Sequence, residues 1–209
     1  MQGDTRERIL QTALALFAER GYAGTSMSDI AGALGLSKAA LYRHYESKQA
    51  IFDSIVARME ARDREQAHRS GVPQDMPGES GAADQKTTLA QLCAFSKAMF
   101  RYWTQDAFAS AFRRMLTLEQ YRDPKLAQLH HDYLAGGPLE YMAAIFRKLT
   151  DSDEDAMQLA LEFYGPMYLL YSVYDSAEEK ESVSSLLATH INHFIARIES
   201  DDRKKGRTT

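Results

Sequence analysis

Three serines, each set ahead of a short apolar-periodic run, dictate the architecture of the first seventy residues. Ser26 has Asp29 three residues on, the spacing of a capping box. Ser37 stands before residues 38–44, and Ser47 before a run carrying Ile51, Ile55 and Met59. A hydroxyl at such a position accepts a hydrogen bond from a backbone N–H that the helix itself leaves orphaned. Gly21 and Gly35 fall where a residue of left-handed conformation closes the preceding helix. The spacing predicts a first helix from Asp4 or Thr5, with Glu7 placed for a capping box and Ile9, Leu10, Ala13, Leu14 and Phe17 on one stripe. A second helix of barely two turns buries Met27, Ile30, Ala31 and Leu34, a third covers 38–44, and a fourth runs on into the charged stretch 58–69. Four helices fill this length and leave no room for a strand.

The same 3.6-residue period continues to the end of the chain, without alternating β-branched runs or hairpin dipeptides, so the expected class is all-α. Residues 70–86 hold Gly71, Pro73, Pro77, Gly78 and Gly81 and read as a flexible loop. Asp123-Pro124 starts a helix that Gly136-Gly137-Pro138 breaks or kinks. Ser152 and Asp155 cap a helix running to about 175 past an internal Gly165-Pro166, and the last helix spans roughly 178–199. The expected divisions are 1–48, a connecting helix 49–69, the loop 70–86, a larger helical domain 87–199, and a charged, disordered tail 200–209.

Charge and composition exclude several functions. The net charge of −4 argues against a basic nucleic-acid binder only as an average. Residues 1–69 hold ten Lys/Arg against nine Asp/Glu, a balance of +1, whereas 70–209 hold fifteen against twenty, a balance of −5. Cys93 is the single cysteine and makes no intramolecular disulfide, in keeping with a reducing compartment. No apolar stretch is long enough to span a bilayer and Met1–Arg8 lacks a signal-like apolar core, so a cytoplasmic location and no membrane partner are expected. His130-His131 diverge on a helix, and His190 with His193 lacks a third ligand at suitable spacing, so no metal and no cofactor are expected. Without a Gly-x-Ser-x-Gly elbow, a P-loop or a dinucleotide fingerprint, an enzyme is not expected either.

Two short helices joined by a glycine-containing turn make a helix-turn-helix. Ala31, Leu36 and Leu41 supply its inner contact, leaving Lys38, Ala39, Ala40 and Arg43 to face a major groove. Tyr42, His44, Tyr45 and Lys48 gather at the helix exit, where phenol, imidazole and ammonium groups can meet phosphate oxygens. Each has an ordinary alternative: Tyr42 packed on the first helix, His44 as a satisfied histidine, Tyr45 as core, Lys48 as a solvated first-turn residue. The methyl groups of Ala39 and Ala40 suit thymine rather than hydrogen-bond readout. So few base contacts favour a two-fold dimer on a palindromic operator of double-stranded DNA.

The strings Leu16-Phe-Ala-Glu-Arg-Gly21-Tyr22, Thr25-Ser-Met-Ser-Asp-Ile30-Ala31, Leu34-Gly-Leu-Ser-Lys38, Leu41-Tyr-Arg-His-Tyr45 and Ser47-Lys-Gln-Ala-Ile-Phe52 closely resemble the tetracycline-repressor (TetR) family of transcriptional regulators, densely over residues 6–52. The resemblance implies an N-terminal three-helix DNA-binding domain followed by a larger ligand-binding and dimerisation domain. By position it adds Ser28 to the base-facing group, and it places Ser26, Tyr42, His44 and Lys48 on the backbone. It further implies a homodimer through the last two helices and a small-molecule effector, apolar or amphipathic in character. Trp103, Phe112, Met115, Tyr141, Phe163 and Met167 are the candidate lining of that pocket, since aromatics and methionines suit an adaptable apolar site. Glu119, Glu140 and Glu162 would select a cationic ligand if buried, although a solvated face is the commoner fate of such residues. Candidate dimer surfaces are the face Tyr164, Tyr168, Tyr171 and Tyr174 and the stripe Val183, Leu186, Leu187, His190, Ile191, Phe194, Ile195 and Ile198, with intramolecular core the alternative. The function so implied is a ligand-responsive repressor. The rival is a helical protein-interaction module that keeps the shape without the DNA role.

Overall fold

A computed structural model describes residues 2–70 and 89–205, all helix and connecting turns among the described residues. In chain order these are α1 (Gln2–Arg20), α2 (Met27–Ala33), α3 (Lys38–Tyr42), α4 (Lys48–Ser70), α5 (Leu89–Gln105), α6 (Ala107–Glu119), α7 (Pro124–Leu134), α8 (Gly136–Phe146), a 3₁₀ turn (Arg147–Leu149), α9 (Asp153–Ser176) and α10 (Lys180–Lys205). The expected loop 70–86 lies outside the described residues, apart from Ser70 at the end of α4.

The chain forms two compact bodies, one of Met1–Arg69 with Gln105–His131, the other of Ser70–Thr104 with Asp132–Thr209. The block 87–199 is therefore divided, because α6 lies along α1 and joins the N-terminal body. The apolar period explains this. Ile9, Leu10, Ala13, Leu14 and Phe17 on α1 are all buried, and α6 contributes buried Phe108, Ala111, Phe112, Met115 and Leu116 to the same body. Asp106 caps α6, its Oδ1 accepting from the backbone N–H of Phe108 (3.0 Å) and Ala109 (2.9 Å). Arg62 of α4 grips that cap through Nη1–Oδ1 (2.7 Å) and Nη2–Oδ2 (3.2 Å), while the guanidinium groups of Arg58 and Arg62 lie 5.3 and 5.2 Å from the Phe108 ring centre. Arg58 also pairs with Glu7 of α1. The charged run 58–69 thus serves partly as a clamp.

In the second body α8 packs on α9 and α9 on α10. Phe146, Phe163 and Phe194 form an aromatic cluster, with Phe163 and Phe194 centroids 5.0 Å apart, and Phe100 stacks on Tyr171 at 5.3 Å. The Tyr164 hydroxyl donates to the Leu134 carbonyl at 2.7 Å, beside the break at Ala135 that separates α7 from α8. Pro166 stays inside α9, where its ring interrupts the hydrogen-bond ladder, and the Phe163 carbonyl in that turn accepts from His190 Nε2 at 3.0 Å.

Three expectations are corrected. Residues 200–205 continue α10 and are not a disordered tail, while 206–209 lie outside the described residues. Of the tyrosine face, Tyr164, Tyr171 and Tyr174 are buried within their own body and only Tyr168 is exposed. On α10, Val183, Leu187, Ile191, Phe194 and Ile198 are intramolecular core, and Leu186 alone of the large apolar residues there is well exposed. The face that α9 leaves uncovered is instead Leu161, Tyr168, Leu169 and Val173, with Leu169 63% exposed.

Candidate nucleic-acid interface

Helices of seven and five residues are too short to persist alone, so their ends must be fixed. Ser26 Oγ accepts from Asp29 N (3.2 Å) and Asp29 Oδ2 accepts from Ser26 N (2.7 Å), completing the expected capping box. Those bonds from Ser26 hold the Asp29 carboxyl below its ordinary range. At the other end, Leu36 N donates to Ala31 O (2.9 Å) and Gly35 N to Gly32 O (3.1 Å), a Schellman closure with Gly35 at φ +66°. Ser37 Oγ then accepts from Ala40 N at 3.1 Å and starts α3 one residue later. Leu41, fully buried, pins α3.

The outward residues follow from that anchor. Ser28, Lys38, Ala39, Tyr42 and Arg43 are exposed, and Ala40 and His44 are half-buried. The Lys38 and Arg43 side chains make no ion pair or hydrogen bond among the described residues, so both cations face solvent. Tyr42 is 45% exposed, so nearly half of it is open to solvent. Helix α3 ends at Tyr42, two residues short of expectation, with Arg43 as its C-cap and His44 N bonded to Leu41 O at 2.9 Å. Tyr45 is buried at 5% exposure, under the Arg6 guanidinium at 4.8 Å from its ring centre, and belongs to the core.

Lys48 is not the freely solvated residue of the ordinary alternative. Its ammonium donates to the carbonyls of Tyr22 (2.6 Å) and Thr25 (2.7 Å) and lies 4.3 Å from the Tyr22 ring centre. Burial lowers its pKa, opposed by the charge of Glu119. Tyr22 is wedged between Phe17 and Phe52, both 5.2 Å away, and donates to Gln49 Oε1 at 3.0 Å. Its phenol is pushed up by burial and then by Asp53 and Asp123. An ammonium has three protons, and two of those on Lys48 brace the turn between α1 and α2.

Of the expected effector residues, Phe112 and Met115 are fully buried in the first body, and Trp103, Phe163 and Met167 are buried in the second with Tyr141 half-buried. Phe163 is engaged in the aromatic cluster and Trp103 lies edge-on to Tyr133 at 6.1 Å. Glu140 and Glu162 are exposed, whereas Glu119 is 1% exposed. Among the described residues there is no cluster of three metal-ligating side chains, and no helix is long and apolar enough to cross a membrane.

Capped short helices, a Schellman turn and an outward cationic edge define a helix-turn-helix. Residues 9–55 match the family model of the bacterial regulatory proteins of the tetR family. It is 41% identical over 51 residues to the biofilm operon icaADBC negative transcriptional regulator IcaR of Staphylococcus aureus (strain Newman), a match covering 24% of this chain and 27% of that one. The chain thus spans about a quarter of that relative's length. Beyond this segment the likeness is one of fold. The structure of SmeT with triclosan superposes with a TM-score of 0.61 at 18% identity, covering 93% of this chain and 91% of that one. A Saccharomonospora viridis regulator solved with choline gives 0.60 at 21% identity, covering 93% and 96%.

Proposed function

We propose that this chain is a homodimeric transcriptional repressor that reads a palindromic DNA operator through α3 and releases it when a small molecule binds. The observation that carries the reading is the edge formed by Ser28, Lys38, Tyr42 and Arg43: exposed side chains on two helices whose ends are rigidly capped. Lys38 and Arg43 read bases together with Ser28 and the Ala39 and Ala40 methyls, and Ser26, Tyr42, His44 and Lys48 meet phosphates. Two copies joined through the uncovered face of α9 present two such edges to successive major grooves. A ligand that favours another spacing of the edges lowers DNA affinity by linkage.

Solved relatives in fold carry ligands as unlike as triclosan and choline, which supports an effector site without specifying its chemistry. We place it around Trp103, Tyr141 and Met167, since the Phe163 ring is engaged in core packing and Phe112 with Met115 belongs to the other body.

Anisotropy titration of the full chain against duplexes selected from a random pool, at two salt concentrations, tests the proposal. Tight, salt-dependent and sequence-selective binding is expected, and Arg43→Ala should change the preferred sequence. Equal loss on every sequence would remove Arg43 from base readout. Absence of duplex binding even at low salt would leave the protein-interaction module.

A further inference from the structure

A buried carboxylate at the end of α6 has no part in the DNA-facing edge, yet it lies against the turn that launches it. Glu119 is 1% exposed, and its Oε1 is so close to Gly21 that a Cβ built there would lie 2.2 Å away. Arg122, itself largely exposed, reaches the same oxygen at 3.5 Å. Gly21 closes α1 at φ +81°, its N–H bonded to Phe17 O at 3.0 Å and its carbonyl accepting from Thr25 Oγ1 at 3.0 Å. The next carbonyl, of Tyr22, and that of Thr25 are the two that Lys48 holds. One side of the turn is thus covered by Glu119, another is tied by Lys48, and Ser26, the cap of α2, follows it directly.

We propose that Glu119 is the positioning residue through which α6 fixes this turn, and with it the start of α2 and the Lys48 ammonium, in the DNA-reading arrangement. The inference rests on the DNA-binding role proposed above. Its physical basis is charge as well as shape. Glu119 lies at the C-terminal ends of both α1 and α6, where the aligned peptide dipoles disfavour an anion. The carboxylate is balanced there by nearby cations. Lys48 is near enough to feel it through space without a direct ion pair, and Arg122 reaches it from solvent. Removing the negative charge takes away the field that favours the charged form of the partly buried Lys48, and with it part of the hold on the two carbonyls.

The test combines hydrogen exchange with DNA titration on four full-length proteins: parent, Glu119→Gln, Lys48→Met and the double variant. Each single variant should raise amide exchange across residues 21–28 by about tenfold, and the double variant should exceed neither single one, because both act on one turn. Operator affinity should fall about tenfold in Glu119→Gln, and the double variant should bind no more weakly than Lys48→Met alone. Unchanged exchange in Glu119→Gln, or effects that multiply in the double variant, would overturn the assignment. If Glu119→Gln fails to fold, Glu119→Asp decides: keeping the charge, it should stay within about threefold of parental exchange, and loss of protection beyond tenfold would show that charge is not what holds the turn. If the parent binds no duplex while the exchange pattern holds, the DNA reading falls and the hold of Glu119 on the turn stands.

Discussion

Two glycines with left-handed backbone, Gly21 (φ +81°) and Gly35 (φ +66°), make a matched pair in which conformation is shared and surroundings differ. A methyl group at position 35 meets nothing within 4 Å, whereas at position 21 it would lie 2.2 Å from Glu119 Oε1 and 3.2 Å from Arg122 Nη1. Left-handed backbone costs an L-residue about 1–2 kcal/mol, and restricting the unfolded chain returns about 0.5 kcal/mol. Gly35→Ala should therefore destabilise by about 1 kcal/mol. At Gly21 the same term applies, and the buried carboxylate must also move, which for overpacking in a close-packed site adds about 1–3 kcal/mol. Gly21→Ala should then destabilise by about 3 kcal/mol. For a chain of this size that separates the melting points by about 4–8 °C, an interval that differential scanning calorimetry resolves. Urea denaturation of both variants at one pH checks the free energies directly. Equal destabilisation of the two would refute the argument, since the contacts with Glu119 and Arg122 distinguish them.

Asp63 on α4 has its carboxyl pushed up to about 7 by burial, with Arg62 and Arg64 opposing and Glu60 reinforcing, and its Oδ1 has no hydrogen-bond partner. The folded state therefore holds a proton that the unfolded state releases, so this contribution to stability is full below the ordinary carboxylate range and is lost as pH rises through about 7. Urea midpoints between pH 5 and 8 should fall with pH in the parent and flatten in Asp63→Asn. Tyr164→Phe removes the donor to the buried Leu134 carbonyl and should lower stability by about 1–2 kcal/mol, read from the same denaturation curves. Leu169→Glu places a charge on the uncovered face of α9 and should convert a dimer to a monomer in light scattering without lowering helix content; an unchanged mass would remove that face from the interface.

Much of the N-terminal arrangement was legible because its instructions are local. Ser26 with Asp29, Ser37 and the two glycines act within a few residues of where they stand, so the starts of α2 and α3 and the ends of α1 and α2 fall as expected. The break ahead of Gly136 and the cap at Ser152 were legible for the same reason. What a periodic stripe does not reveal is its partner. Amphipathic α6 looks alike whether it packs on α5 or on α1, and the buried faces of α9 and α10 look alike as core or as an interface between copies. Lys48 illustrates a further limit. Its position at a helix start suggests solvent, yet the carbonyls it binds belong to Tyr22 and Thr25, more than twenty residues earlier, and no spacing rule encodes that distance. In the sequence Glu119 is one of three glutamates that would select a cation if buried, but its contact with Gly21 depends on a pairing of α6 with α1 that only the fold supplies.

That pairing also bears on how the protein is made. Translation delivers α1 to α4 first, but the buried surface of α1 belongs to a body that includes α6 and the first part of α7. As a nascent chain, the segment up to Arg69 carries a greasy helix face still awaiting its cover, and the body is complete only after His131 has left the ribosome. A gene fragment cut at the end of α4 would keep the segment that matches the tetR family and leave the apolar face of α1 without its α6 cover.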